Sequence, residues 1–312
     1  MAALLTVIAA EAAAAPSTGD LLSGFNVITN QGFSTSADVE GPMLIGGALS
    51  GSGTVMNLGT PLPASLTGFG SVNVVGSTSG ASYNANNLTV KIATPNQGAT
   101  FSGASSVAYN ASFTTPFNTI WSQVTQLSTM LAGLATTGGS SLTGGNFFAG
   151  PTTVNGQSNV AVLNITASQL VSVGNPTMNL GSSQLFIINV DTSGTGGTYS
   201  PAGGTNFNGQ NYAGNVLWNF YNATSLGFGV EFGGSVIAPN AAVTNSSPID
   251  GALFARSFNG SGEVHYKPVT LPAQNTISAL GTGQSVPEPA SAALLAGGVL
   301  AFAGLARRNW IR

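Results

Sequence analysis

Leu185-Phe186-Ile187-Ile188-Asn189-Val190 is a short apolar burst rich in β-branched and aromatic residues. Such a run, too short for an ordinary amphipathic helix, predicts a buried strand. Similar bursts precede it: Phe25-Asn26-Val27-Ile28, Met43-Leu44-Ile45, Val72-Asn73-Val74-Val75, Leu88-Thr89-Val90-Lys91-Ile92 and Val160-Ala161-Val162-Leu163. Others follow: Val216-Leu217-Trp218-Asn219-Phe220, Ser235-Val236-Ile237-Ala238 and Ala252-Leu253-Phe254-Ala255. Clusters of Gly, Asn, Ser, Thr or Pro separate them, so the pattern predicts an all-β domain of short strands. A sandwich, a barrel and a solenoid all fit. Gly-Gly, Asn-Gly and Ser-Gly corners, and the scarcity of hairpin dipeptides between adjacent strands, favour the solenoid.

One segment departs from this pattern. Phe113, Phe117, Ile120, Trp121, Val124, Leu127, Leu131 and Leu134 follow the three-and-four spacing of one helix face. The spacing predicts a helix over about 115–136, with Thr115 as N-cap, Pro116 at the first helical position and Gly138-Gly139 ending it. A lone helix in a β chain is expected to lay its apolar stripe on the sheet rather than on a partner.

Charge is scarce. Asp, Glu, Lys and Arg make up 5% of the 312 residues, with a net charge of −3, where ordinary domains carry about 25%. Solubility must come from Asn, Ser, Thr and Gly. There is no basic patch for nucleic acid. The chain has no cysteine, so neither disulfides nor thiol chemistry are available.

The C-terminal end is organised differently. Val286-Pro287-Glu288-Pro289 precedes an uncharged run, Ala290–Ala306, and then Arg307-Arg308-Asn309-Trp310-Ile311-Arg312. As a helix the run would span roughly 25 Å, slightly short of a ~30 Å hydrocarbon layer. The basic cluster behind it predicts a cytoplasmic end, with everything before Pro287 facing outward. The two prolines keep the preceding segment extended. At the other end, Met1–Ala15 is apolar and Ala-rich like part of a secretory signal, although it lacks a basic start and Glu11 interrupts it.

The triplet, the short hydrophobic span and the Arg cluster resemble the PEP-CTERM sorting signal of Gram-negative bacteria. The resemblance implies that Pro287, Glu288 and Pro289, with Arg307 and Arg308, are recognised by an exosortase, a membrane-embedded protease that removes the tail. The body resembles the choice-of-anchor A domain, whose members carry varied surface anchors. The opening motifs are Phe25–Ile28, Ser36-Ala37-Asp38-Val39-Glu40-Gly41 and Ile45-Gly46-Gly47. The closing motifs are Gly234-Ser235-Val236-Ile237-Ala238-Pro239-Asn240-Ala241, Ile249-Asp250-Gly251 and Gly260-Ser261-Gly262-Glu263-Val264-His265. That family commonly has Arg after Asp-Val-Glu-Gly; this chain has Pro42. The closing block is also similar to the ice-binding adhesin fold, which implies a right-handed β-helix with one long helix alongside. The expected organisation is therefore a partial signal-like segment (1–15), a β-helix domain (20–268), a linker (269–285) and a sorting and transmembrane segment (286–312).

Candidate sites in the body are few. Asp38, Glu40, Gly41, Asn240, Gly251 and Glu263 belong to the resemblance motifs and are expected to be structural. Asp38 and Glu40, two apart in a strand, share a face, but Ca²⁺ takes six to eight oxygens and no Asp-rich loop surrounds them. They are expected to pair with Arg256 or Lys267, or to cap backbone amides. His265 is the sole histidine and is expected to be an ordinary surface residue. No Gly-x-Ser-x-Gly elbow occurs, and one histidine with dispersed acids is a poor basis for hydrolysis. No catalytic residue, metal or cofactor is expected. The chain is expected to be a non-enzymatic, exported surface or matrix protein that contacts exopolysaccharide or other cell-surface components. Ice binding is the alternative and a polysaccharide-active enzyme a weaker one. Ice binding would need an array of threonines, and the threonines here are scattered.

Mass spectrometry of the mature protein from cells and medium should find a C-terminus at or near Pro287–Pro289. A mature product retaining Arg312 would instead make the tail a permanent anchor.

Overall fold

The apolar bursts assemble side by side. In the computed structural model, which describes residues 16–269 except 59–60, 155–156, 202–206 and 208–210, they form one long ladder of parallel strands. Its order runs Ser106–Ala108, Thr89–Ile92, Val72–Val74, Met43–Ile45, Val27–Thr29, Leu253–Gly260, Ser235–Asn245, Val216–Asn219, Leu185–Asp191, Gln157–Thr166. The first strand of the chain therefore lies in the middle, with Val27 opposite Met43 on one side and Leu253 on the other. The chain builds outward to Ser106–Ala108, crosses to the far end, and builds back until Leu253–Gly260 meets Val27–Thr29.

A second parallel ladder runs beside the first. It comprises Thr100–Ser102, Ala81–Asn84, Leu49–Thr54, Phe33–Thr35, the later parts of Leu253–Gly260 and Ser235–Asn245, Ser225–Phe228 and Thr198–Tyr199. A third, shorter ladder joins Phe232–Gly233, Ile249–Asp250 and Val264–His265, and bridges from Val264 to Val39 and on to Val55. Inward side chains from all three fill one core, among them Val27, Val72, Val236 and Trp218 from the first, Phe33, Tyr83 and Phe258 from the second, and Phe232 and Val264 from the third. The described residues thus form a mostly β protein with few helices. None of those helices is long and apolar enough to cross a membrane. The expected transmembrane run, Ala290–Ala306, lies outside the described residues.

The crossing is made by a helix, Thr114–Ala132. Helix α1 is Thr18–Gly24, opened by a Ser17 capping box with Asp20, and α2 is this longer helix. The boundaries of α2 differ from the expected ones. Phe113 occupies the N-cap, and Pro116 sits within the first turn, where its missing N–H would have had no helical partner anyway. The helix ends at Gly133, well before Gly138-Gly139, as the Leu134 N–H turns back onto the Leu131 carbonyl. The apolar stripe is as expected: Phe117, Ile120, Val124, Leu127 and Leu131 are buried against the chain's own sheet. They cover the outward side of the first ladder, including Ile28, Leu44, Ile187, Leu217, Ile237 and Phe254.

Between α2 and the ladder runs a file of asparagines. Asn164, Asn189 and Asn219 are in register on adjacent strands. Their Nδ2 groups donate to three α2-end carbonyls: Asn219 to Ser128 (2.9 Å), Asn189 to Leu131 (2.7 Å) and Asn164 to Leu134 (2.9 Å). They also bond one another, Asn219 to Asn189 at 2.9 Å and Asn189 to Asn164 at 2.8 Å. The Ser128 hydroxyl closes the file on Asn219 Oδ1 at 2.6 Å. The match is one of repeat lengths: three helical residues rise about 4.5 Å, and strands lie about 4.8 Å apart.

Asn219→Ala should destabilise the protein by about 2–4 kcal/mol, since it removes three hydrogen bonds and strands their partners in the interior. Urea unfolding should show a lower midpoint with an unchanged slope.

Candidate functional surface

The three ladders present three different exteriors. The first is covered by α1 and α2. The second is bare on its outward side among the described residues and its outward positions are uncharged; Arg256, at the corner shared with the first ladder, donates to the Thr224 carbonyl at 3.4 Å. The outward positions include Thr198, Ser225, Thr244, Asn259, Ser34, Ser52, Ser82, Asn84, Thr100 and Ser102. This composition follows from the strand period of two. Apolar or small residues such as Leu226, Val243, Phe258, Phe33 and Tyr83 point inward, and hydroxyl or amide residues alternate with them. The eight strands make a face roughly 34 Å long at about 4.8 Å per strand. Ring stacking stiffens it from beneath: Phe33 and Phe258 lie 4.9 Å apart, Tyr83 and Phe101 6.5 Å. Burial pushes the Tyr83 phenol far above its ordinary range, and the neutral hydroxyl donates to the Ser50 carbonyl at 2.8 Å.

The third exterior gathers acid. Asp38, Glu40, Glu231, Asp250 and Glu263 lie along it, five of the nine Asp and Glu residues in the chain. Asp38 Oδ1 accepts the Thr54 N–H at 2.9 Å, and Glu40 Oε2 accepts the Tyr266 N–H at 2.9 Å. Of the two roles expected for this pair, capping of backbone amides is the one observed. Among the described residues neither forms an ion pair with Arg256 or Lys267. No described group of His, Asp or Glu has the arrangement of a metal site.

The motif residues meet at one seam. Asn26, wholly buried, donates to the carbonyls of Gly251 and His265, both at 3.1 Å, and accepts the Gly41 N–H at 3.1 Å. Glu40 N–H bonds the Val264 carbonyl, and Val264 N–H the Asp38 carbonyl. The opening and closing motifs are thus two halves of one closure. Gly41 is obligatory there, because a Cβ would lie 2.5 Å from Tyr266 Cδ2. Gly251 is too, with φ +156° and a Cβ 2.5 Å from the Gly234 backbone. Asn240 stands apart, exposed, with its Nδ2 3.4 Å from the Tyr221 carbonyl. Pro287, Glu288, Pro289, Arg307 and Arg308 lie outside the described residues.

His265 corrects the expectation of an ordinary surface residue. It is half-buried between two carboxylates, Nδ1 against Asp250 Oδ1 and Nε2 2.7 Å from Glu263 Oε2. The residue spacing hides this, because Asp250 reaches it only through strand pairing with Val264–His265. Both ring nitrogens are occupied, so the imidazole has none free to take a proton from a nucleophile.

The sequence profile of a family described as an ice-binding-like adhesive domain matches residues 18–266. Among solved structures, the ice-binding protein from the Antarctic ascomycete Antarctomyces psychrotrophicus aligns over 80% of this chain and 98% of its own, at 16% identity and a TM-score of 0.32. No curated protein sequence matches the chain.

Burial opposes the charge on His265, but the hydrogen bonds to Glu263 and Asp250 and the charges of Glu40 and Asp250 outweigh it, holding its pKa above 6.5. A raised folded-state pKa adds stability that is complete below pH 6.5 and fades as pH climbs through the folded value. The melting temperature should therefore fall across that alkaline-going window in the wild type and stay flat in His265→Gln, as calorimetry at stepped pH will read.

Proposed function

Since the chain belongs to the ice-binding-like adhesive domain family, we propose that it is an exported, non-enzymatic adhesive protein that holds polysaccharide on the outward face of its second ladder. The observation that carries this is the face itself: long, bare and uncharged, with rows of hydroxyls and amides repeating at the strand spacing. Such rows match the hydroxyls of an extended glycan, and a neutral face neither repels acidic polymers nor requires them. In this proposal the three ladders are the sides of a right-handed β-helix with α2 alongside, the arrangement that the resemblance to the ice-binding adhesin fold implies. The Pro287–Pro289 triplet is an exosortase recognition site. Residues 290–306 hold the protein in the inner membrane until processing, after which the body joins the cell surface or extracellular matrix and supports biofilm cohesion.

Ice is the second reading, favoured by the family's description and by the regular strand spacing. The outward rows mix Thr198, Thr244 and Thr100 with Ser, Asn and Gly227, whereas ice binding calls for a uniform threonine array. A polysaccharide-cleaving role has less support, because the acids of the third exterior hold the backbone amides of Thr54 and Tyr266 and the ring of His265.

Titration of the purified protein with exopolysaccharide from a producing cell should show saturable binding. Ser82→Lys with Thr244→Lys should weaken it by about tenfold, equivalent to about 1.4 kcal/mol, with the fold intact. Thermal hysteresis without glycan binding would transfer the face to ice, and release of new reducing ends would make the protein an enzyme.

A further inference from the structure

We propose that two copies of this chain join end to end through strand Thr100–Ser102, in antiparallel register about a two-fold axis. Both long ladders stop at the same end of the stack. Thr100–Ser102 pairs only with Ala81–Asn84, and Ser106–Ala108 only with Thr89–Ile92, among the described residues. A sheet edge leaves backbone donors and acceptors open to another strand, and proteins usually block it with charge, proline or a bulge.

The opposite end shows what blocking looks like in this molecule. There Thr152–Val154 folds back antiparallel on Gln157–Thr166. A small sheet of Ser141–Thr143, Asn146–Phe148 and Met178–Asn179 lies over the stack, with Phe147 fully buried 5.6 Å from Trp218. Helix α3, Ala167–Val171, closes the corner with its own capping box. Stacked folds require such terminal caps to stay apart.

At the Thr100–Ser102 end the described residues supply no cap, and the two edge strands carry no charge; the nearest, Lys91, lies one strand in, opposite Ala108, with its ammonium donating to the Gly68 carbonyl at 2.7 Å. From Ile92 to Val190 there is no Asp, Glu, Lys, Arg or His. Phe101, Val107 and Tyr109 are only partly buried, packed against the core on one side. Phe101, partly buried, stacks on Tyr83 with an interplanar angle of 16°.

These features select a second copy as the occupant. A homotypic contact brings each group against itself, which like charges oppose and a neutral edge permits. A two-fold axis makes the paired strands antiparallel, the more stable ladder, and sets Phe101 against its own mate to extend the ring stack. An isologous contact also closes on itself and stops at two. The bare face of the second ladder then continues across the join and doubles in length.

The test is the molar mass of the purified full chain in mild detergent, by light scattering after size exclusion. Twice the 31.0 kDa chain mass is expected, falling by half in Thr100→Lys/Ser102→Lys, which sets lysines opposite lysines while leaving both exposed side chains out of the core. Association through the apolar tail would survive those lysines and would overturn the proposal, as would a monomeric wild type. The chain's lack of cysteine permits a second measurement. Thr100→Cys/Ser102→Cys should form an intermolecular disulfide under mild oxidation, and its failure to do so in a dimer would place the contact elsewhere. If the wild type is monomeric and deleting residues 1–15 converts it to a dimer, the edge belongs to the N-terminal segment instead.

Discussion

The agreement between helix rise and strand spacing governs this architecture. One helix must carry the chain from one end of the stack to the other, and it can do so flush against the sheet only if its own repeat keeps pace with the strands. Three residues per strand nearly achieves this. The asparagines at 219, 189 and 164 hold the phase, reaching from successive strands to the carbonyls of Ser128 and Leu131 in α2 and of Leu134 just past its end. Where the file stops, apolar contacts take over, with Ile237, Phe254, Ile28 and Leu44 continuing the same column beneath α2.

That cover explains how the exteriors divide the work. Beneath α1 and α2 the first ladder is buried on both sides and is structural. The third is occupied by the seam, where Asn26, Asp38, Glu40 and His265 tie the start of the body to its end. Among the described residues only the second ladder keeps a face with no internal task. Its inward residues are bound by packing, and its outward ones remain free to meet something else.

The same division sets what could be read before the structure. Every apolar burst named from the sequence falls on a strand of the first ladder, most of them because burial on both sides makes a strand apolar; Thr89–Ile92 instead alternates, with Val90 and Ile92 inward and Lys91 outward. Strands of the second ladder, such as Ser225–Phe228 and Ala81–Asn84, are half polar and rich in small residues, so they look like the loops between bursts. The α2 stripe was legible by its period, but its end was not: Gly133 was passed over for the more conspicuous Gly138-Gly139. The asparagine file has its own mark in the sequence. Ile188-Asn189-Val190 and Trp218-Asn219-Phe220 each set one amide inside an apolar run, where only a satisfied buried amide can stay; Asn164, at the exposed end of the file, is under no such constraint. His265 had no such mark, since its partners are settled by strand pairing.

The central position of the first strand has a consequence for how the body comes into being. In an ordinary stacked array each new coil lands on a finished one, and stability grows with length. Here Val27–Thr29 waits on one side for Leu253–Gly260, which is made near the end of the body. The two halves of the stack cannot seal until the whole body exists, and the contacts that seal them span more than two hundred residues. Pairings that distant are slow to form. Closure of the body is thereby a late event: the first ladder is complete only when Leu253–Gly260 reaches Val27–Thr29.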